Sequence, residues 1–335
     1  MIIILNRRRW PVAVAWTAVP LALVLATCLG DPVVRPSTVA AALLDPGHPL
    51  HPAVREVRLP RAVLGCLAGA GLGVSGLLLQ DVLRNPIAGP ELLGVSSGAA
   101  VVTVTIVVLG LAVPVALLPY AALGGALVAG ALVLLAIGRT RSPDHVALVG
   151  AAVSAACGGL VVAVVGLGTQ GNVVVLFRYL LGSLAARGWT HVEAVAPWLL
   201  LGVLAAVLLA RRVEALALGD DVAAGLGVAV VRTRLAAVAV AAALAAAVAS
   251  VCGPVAFVAL LAPHLARRVV GRVGTRPVLV AVVPIGAALL AAADLVSRLV
   301  LYPVEVPVGV ATTLVGVPAL VLTLRGRAPV TAGRA

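Results

Sequence analysis

Long apolar runs follow one another along almost all of this 335-residue chain, separated only by short breaks rich in Arg, Pro and Gly. A helix crosses the hydrocarbon core of a bilayer with about 20 apolar residues, since each adds about 1.5 Å along the axis. On that scale ten spans are predicted, near 11–30, 62–83, 92–110, 115–138, 146–166, 192–210, 233–252, 255–270, 278–299 and 306–324. Hydrophobic residues make up 62% of the chain and charged ones 11%, against about 45–50% and about 25% in a soluble domain. No water-soluble core of this size has room for that excess. The expected fold is all-α, a polytopic membrane protein. Disorder, a collagen-like repeat and a secreted disulfide scaffold are excluded by the same numbers. Gly (35) and Pro (22) are frequent, as helices that pack closely or break within a membrane require.

The net charge of +12 comes from 24 basic residues, all Arg, against 12 acidic ones. In a soluble chain that balance points to nucleic acid. Here the arginines sit in clusters between apolar runs, and two Phe, three Tyr and four Trp are too few for a base-stacking platform. No nucleic-acid partner is expected. Alternating the ten spans from an inside N-terminus places seventeen arginines on the inside and seven outside. That asymmetry predicts both termini in the cytoplasm and a multi-pass protein of the cell membrane. The first run reads as an uncleaved helix, although Leu25-Ala26-Thr27-Cys28 loosely resembles a lipoprotein cleavage box. Cys28, Cys66, Cys157 and Cys252 lie in or beside apolar runs without a CxxC pair and read as small buried hydrophobes.

Three segments outside the spans are informative. Residues 31–60 form a Pro-rich external stretch with an amphipathic piece at Thr38–Leu44. Residues 167–191 form a second external segment, with a short surface helix expected at Val173–Leu184. Residues 213–231 form the longest internal loop, acidic and partly apolar between Arg211/Arg212 and Arg232/Arg234. A solvated connector has no use for that apolar content, whereas a loop that docks on a soluble partner does.

The chain holds no catalytic constellation. Without lysine there is no phosphate-binding Gly-x-x-x-x-Gly-Lys-Ser loop, so any ATP hydrolysis belongs to another polypeptide. Histidines and carboxylates are dispersed, and neither a metal site nor a resident cofactor is expected. Asp294 lies inside a predicted span, where an ionisable residue needs a partner. Arg298, four residues on, supplies one as a structural pair. His264 follows Pro263 at a helix break and reads as a structural hydrogen-bonding residue rather than a metal ligand.

A set of blocks then occurs in order. They are Arg58-Leu-Pro-Arg61, Gly76-Leu-Leu-Leu-Gln80, Arg84-Asn-Pro-Ile-Ala-Gly-Pro90 and Leu93-Gly-Val-Ser-Ser-Gly-Ala99, followed by Gly219-Asp-Asp-Val-Ala-Ala-Gly-Leu-Gly227. Gly253-Pro-Val-Ala-Phe-Val-Ala-Leu-Leu-Ala-Pro-His264, Ala293-Asp-Leu-Val-Ser-Arg298 and Glu305 to Pro318 complete them. The series, from about residue 55 to 325, resembles the permease family of binding-protein-dependent ABC importers for iron–siderophore complexes, haem and vitamin B12 (FecCD-type permeases).

The resemblance implies ten helices as two inverted five-helix halves, pairing with a second permease subunit as a homo- or heterodimer. Two cytoplasmic ATPase subunits would drive it, and an external binding protein would deliver the cargo. Arg58, Arg61 and Arg298 match family arginines that receive binding-protein carboxylates; the plainer reading is that they anchor helices at the headgroup layer. Gly219, Asp220, Ala223, Leu226 and Gly227 would form the ATPase-coupling contact, with Asp220 accepting hydrogen bonds in the first turn of a short helix and Gly227 closing it. The family often has a basic residue at the position of Ala224, and alanine there removes a charged contact. The broken turn at Asn85-Pro86 reads mainly as structural; with Gln80, Ser96 and Ser97 it is a candidate for the pathway or inner gate. Ferric siderophore is the first-choice cargo, moved by alternating access, with haem or cobalamin as alternatives. A stand-alone ion-coupled transporter, the further alternative, would need buried carboxylates or a broken-helix cation site, for which Asp294 is the one candidate and has a local partner; a membrane enzyme would need an acid–base or metal set that the sequence does not offer.

Overall fold

Within a bilayer each backbone N–H and C=O must bond inside its own segment, and the Ala-, Val- and Leu-rich runs do so as helices. A computed structural model describes residues 9–137, 143–168, 181–271, 274–302 and 304–325. The helices are α1 (Arg9–Cys28), α2 (Pro36–Leu44), α3 (Leu59–Val82), α4 (Val95–Val108), α5 (Leu118–Ile137) and α6 (Pro143–Val165). They continue with α7 (Trp189–Ala217), α8 (Asp220–Gly225), α9 (Val230–Cys252), α10 (Val258–Val270), α11 (Thr275–Leu299) and α12 (Val308–Arg325). No strand occurs among the described residues.

Among the described residues, seven helical stretches are long and apolar enough to cross a membrane: Pro11–Cys28, Ala53–Val82, Val115–Ala136, Leu148–Val165, Trp189–Ala217, Val230–Cys252 and Thr275–Leu299. The other three predicted spans fall on α4, α10 and α12, of 14, 13 and 18 residues. At about 1.5 Å per residue the first two reach about 20 Å, short of a bilayer core of about 30 Å. Local backbone breaks shorten them. Gly94 (φ +67°) separates a tight turn at Pro90–Leu93 from α4. Gly253 (φ +69°), Pro254 and Phe257 (φ +65°) hold residues 253–257 outside the helix before α10.

The centre of the bundle is α3, which packs on α11 most extensively and also on α9, α7 and α10. Its Gly-rich face permits this. A Cβ at Gly69 would lie 2.2 Å from the Gly286 carbonyl oxygen, and one at Gly76 1.8 Å from that of Ala259. The backbones therefore cross in contact, the small-residue packing that lets helices associate without a hydrophobic drive. Ser75 adds an interhelical bond by donating to the Ala241 carbonyl (2.7 Å). Of the apolar window in Ala53–Val82, 83% is buried; for Leu148–Val165 in α6 the share is 11%. The α6 side chains Leu148, Leu160 and Val162 are exposed, so this helix offers its surface to lipid or another subunit.

Several sequence expectations need correction. The predicted 192–210 span is α7, which runs on past Arg211 and Arg212 to Ala217 because Val213, Ala215 and Leu216 continue its buried face. The segment between α7 and α9 is therefore 218–229 rather than the expected 213–231. The piece at Thr38–Leu44 begins at Pro36, and Val39 and Ala42 join Cys28, Val34 and Val54 in a small core. Residues 53–58 coil as a π-helical turn directly into α3. Cys157 is half-buried on exposed α6, unlike buried Cys28, Cys66 and Cys252. Most of the short helix expected at Val173–Leu184 lies outside the described residues.

Candidate functional site

Polar chemistry gathers at the two ends of α3. Arg61 and Asp81 stand 20 residues apart on that helix, about 30 Å, which is the thickness of a bilayer core.

At the N-terminal end Arg61 is held almost without solvent, its side chain 10% exposed. Nε donates to both oxygens of Asp294 (3.2 and 3.1 Å), and Nη2 to one of them (2.9 Å). Nη1 reaches both oxygens of Glu305 (2.9 and 3.1 Å). This planar fork ties α3 to α11 and to the α11–α12 connection, geometry that a lysine ammonium cannot supply. Arg298 lies one turn from Asp294, its Nε 3.3 Å from Oδ2 without hydrogen-bond alignment, while both its Nη atoms donate to the Ala26 carbonyl (3.3 Å). Arg58 donates to the carbonyls of Thr27 (3.1 Å) and Pro32 (2.8 Å), fastening α1 to the start of α3. Asp31, Arg58, Arg61, Arg298, Tyr302 and Glu305 line a cleft of about 400 Å³. The Tyr302 hydroxyl donates to Asp31, and that bond, with the carboxylate's charge, raises the phenol above its ordinary range.

At the C-terminal end Arg267 of α10 donates to Gln80 Oε1 (2.6 Å) and to Asp81 Oδ1 (2.8 Å), and Thr275 of α11 donates to Asp81 Oδ2 (2.8 Å). The chain then turns through Arg84, whose positive φ of +50° is unusual for a side chain of its size. Asn85 Oδ1 accepts from the Ile87 N–H (3.0 Å), closing an Asx turn ahead of Pro90. Arg84 donates to Asp220 on α8, and Arg234 of α9, its side chain 2% exposed, donates to both Asp220 oxygens (2.8 and 2.9 Å). One carboxylate thus joins the α3–α4 turn to the start of α9.

The sequence placed Asp220 in the first turn of a short helix, and it is there, but its carboxylate serves two guanidinium groups rather than the helix backbone. Gly227 has φ +78°. With Gly227 N–H bonded to Ala224 O and Val228 N–H to Ala223 O, both 2.9 Å, it closes α8 in a Schellman arrangement. Ala223 is buried, while Leu218, Val222 and Leu226 are exposed at helical spacing. Gly219 precedes α8 with φ +125°. Gln80 is buried under Arg267, and Ser96 and Ser97 are half-buried at the start of α4. Pro86 follows Asn85 in the turn. His264 Nδ1 lies 2.8 Å from the Leu260 carbonyl one turn earlier.

The sequence pattern found Asp294 with Arg298 but missed the better-aligned Arg61, which is 233 residues away. It likewise missed Arg84 with Asp220 and Arg267 with Asp81. The usable signal was that charges in or beside apolar runs need partners; it does not say which.

Comparison with known proteins agrees with this architecture. The family model described as the FecCD transport family matches residues 18–326. The Fe(3+)-citrate import system permease protein YfmE of Bacillus subtilis (strain 168) is 36% identical over 305 residues, 90% of each chain. The Fe(3+) dicitrate transport system permease protein FecD of Escherichia coli (strain K12) is 36% identical over 272 residues, 81% of this chain and 85% of that one. The cobalamin import system permease protein BtuC of Halobacterium salinarum is 35% identical over 274 residues, 82% and 73% of the two chains. A solved ABC transporter assigned to the metal-chelate type, in an inward-facing conformation, superposes with a TM-score of 0.82 at 24% identity, covering 96% of this chain and all of the other. That likeness speaks for the fold. Helical bundle, ordered motifs and relatives of nearly equal length lead to one conclusion: the chain is a multi-pass membrane protein of the FecCD transport family.

Proposed function

We propose that this chain is the permease subunit of an ATP-driven, binding-protein-dependent importer for iron chelates, ferric siderophores first among them. The observation that carries the proposal is the relation to an iron-citrate import permease over 90% of both chains. The relatives that support it are permease proteins of Fe(3+)-citrate, Fe(3+) dicitrate and cobalamin transport systems. The cobalamin relative supports a corrinoid as an alternative cargo, beside haem.

In this reading the ten helices α1, α3–α7 and α9–α12 cross the membrane as two inverted halves of five, with both termini cytoplasmic. The Arg61 end faces outward and the Asp81 end inward. A binding-protein carboxylate entering the outer cleft meets Arg58, Arg61 and Arg298, which line it. A cytoplasmic ATPase, on a separate chain, takes the 218–229 segment through exposed Leu218, Val222 and Leu226, while Gly219, Ala223 and Gly227 set the shape of α8 and Asp220 ties it to Arg84 and Arg234. Ala224, exposed on the same segment, removes one charged contact from it. A second permease subunit completes the pathway, and Gln80, Asn85, Pro86, Ser96 and Ser97 belong to its inner gate. An apolar, Ala- and Val-rich interior grips cargo weakly, so chemical selection falls to the binding protein.

Reconstitution tests this. Proteoliposomes holding the permease with its ATPase are expected to take up ferric chelate only when ATP is inside and the binding protein outside. Uptake driven by a proton or sodium gradient alone overturns the reading. Competition among ferric siderophore, haem and cobalamin then ranks the cargo.

A further inference from the structure

Asp220 is not spent on capping its own helix. Its carboxylate lies between Arg84, on the turn that ends α3, and Arg234, buried in the first turns of α9. Four residues before Arg84, the same end of α3 is gripped by Arg267 of α10 through Gln80 and Asp81, and by Thr275 of α11 through Asp81. Two sets of charge-assisted bonds, Asp220 with Arg84 and Arg234, and Gln80 and Asp81 with Arg267 and Thr275, are thus joined by the short backbone from Asp81 to Arg84, linking α8 and α9 to the inner end of α3, α10 and α11. Charge-assisted bonds are short and roughly twice as strong as neutral ones, so they transmit displacement in both directions. Arg84 sits at φ +50°, in a conformation that the surrounding structure must hold. The Asp220 contact is one of the restraints on that turn.

We propose that Asp220 is a positioning residue that transmits motion of α8 to the inner end of α3 through Arg84. This rests on the reading of 218–229 as the ATPase contact. When the exposed side of α8 is pushed, its buried side carries Asp220 along. Asp220 in turn drags the Arg84–Pro90 turn while remaining tied to Arg234. The turn joins α3, the hub of the bundle, to α4, so a small shift of α8 re-aims both helices.

The experiment uses the intact permease–ATPase complex in nanodiscs, with a spin label on Ile87→Cys, an exposed position in the turn, and Cys157→Ser as background. A non-hydrolysable ATP analogue is the probe. In the otherwise unaltered complex the label's spectrum shifts on adding it. In Asp220→Asn and in Arg84→Gln the shift falls below about a tenth, the double variant is no worse than either single one, and Arg84→Lys retains the shift. The ATPase stays bound in all four. A full shift in Asp220→Asn or Arg84→Gln, no shift in the unaltered complex, additive losses, or release of the ATPase by Asp220→Asn overturns the proposal. If Asp220→Asn does not assemble, Arg84→Gln, on an exposed turn, decides. Leu226→Asp separates the two levels of inference. Loss of the ATPase from that variant upholds the docking reading whatever the label does, and retention removes that reading itself.

Discussion

The two ends of α3 carry ion clusters built from the same residue types in opposite settings. At the Arg61 end the side chains of Arg61, Arg298 and Asp294 are 10%, 10% and 4% exposed. At the other end Arg84, Asp220 and Arg267 are 39%, 28% and 24% exposed, although their partner Arg234 is buried, at 2%. In a dry cluster no water can replace a lost partner, so moving any member strands a charge. In a half-hydrated cluster water substitutes as the contact opens, and the cost of rearrangement falls. The first end is thus suited to a fixed joint among α1, α3 and α11, and the second to a joint that gives and re-forms. Glu305, 43% exposed on its side chain, is the one wet member of the dry cluster and faces the cleft that the proposed docking partner would enter.

The contrast can be broken by substitution. Asp294→Asn should have the largest effect on stability, about 3–5 kcal/mol, because Arg61 and Arg298 then share a buried site with too little negative charge. Thermal unfolding in detergent measures it, and a loss below about 1 kcal/mol would end the distinction drawn from burial. Asp220→Asn should cost less, about 1–2 kcal/mol by the same assay, since water reaches Arg84 and residue 220 and the amide oxygen still accepts a bond from buried Arg234. A loss equal to that of Asp294→Asn would make both ends rigid. Glu305→Gln should cost about 1 kcal/mol, because Arg61 keeps its three bonds to Asp294. The exposed pair Arg55–Glu56, 3.9 Å apart, sets the floor: Glu56→Gln should change stability by less than about 0.5 kcal/mol. If Glu305→Gln falls on that floor, Glu305 is as free as a surface residue.

Much of the architecture was legible in the sequence, since a membrane segment announces itself by length and composition. The runs around 62–83 and 278–299 became α3 and α11 within a few residues, and Thr38–Leu44 became most of α2. Legibility failed where the backbone is locally broken or locally prolonged. The Gly253–Phe257 break shortened α10, and the buried Val213–Leu216 stretch lengthened α7 beyond two arginines that read as its end. Both outcomes depend on what packs against the segment, which periodicity along one chain does not encode.

The candidate site divides in the same way. Sequence alone established that a lysine-free, apolar chain with clustered arginines is a membrane protein without a nucleotide-binding loop of its own. It also identified which short blocks carry charge. Asp294 with Arg298 was readable because helix geometry places residues four apart on one face. Only the tertiary structure brought Arg61 to Asp294 and Glu305, or Arg84 to Asp220, because pairing across more than a hundred residues is decided by which helices cross. Those crossings are set by glycines such as Gly69 and Gly286, whose missing side chains let α3 and α11 touch and bring their charges to the same end of the bundle.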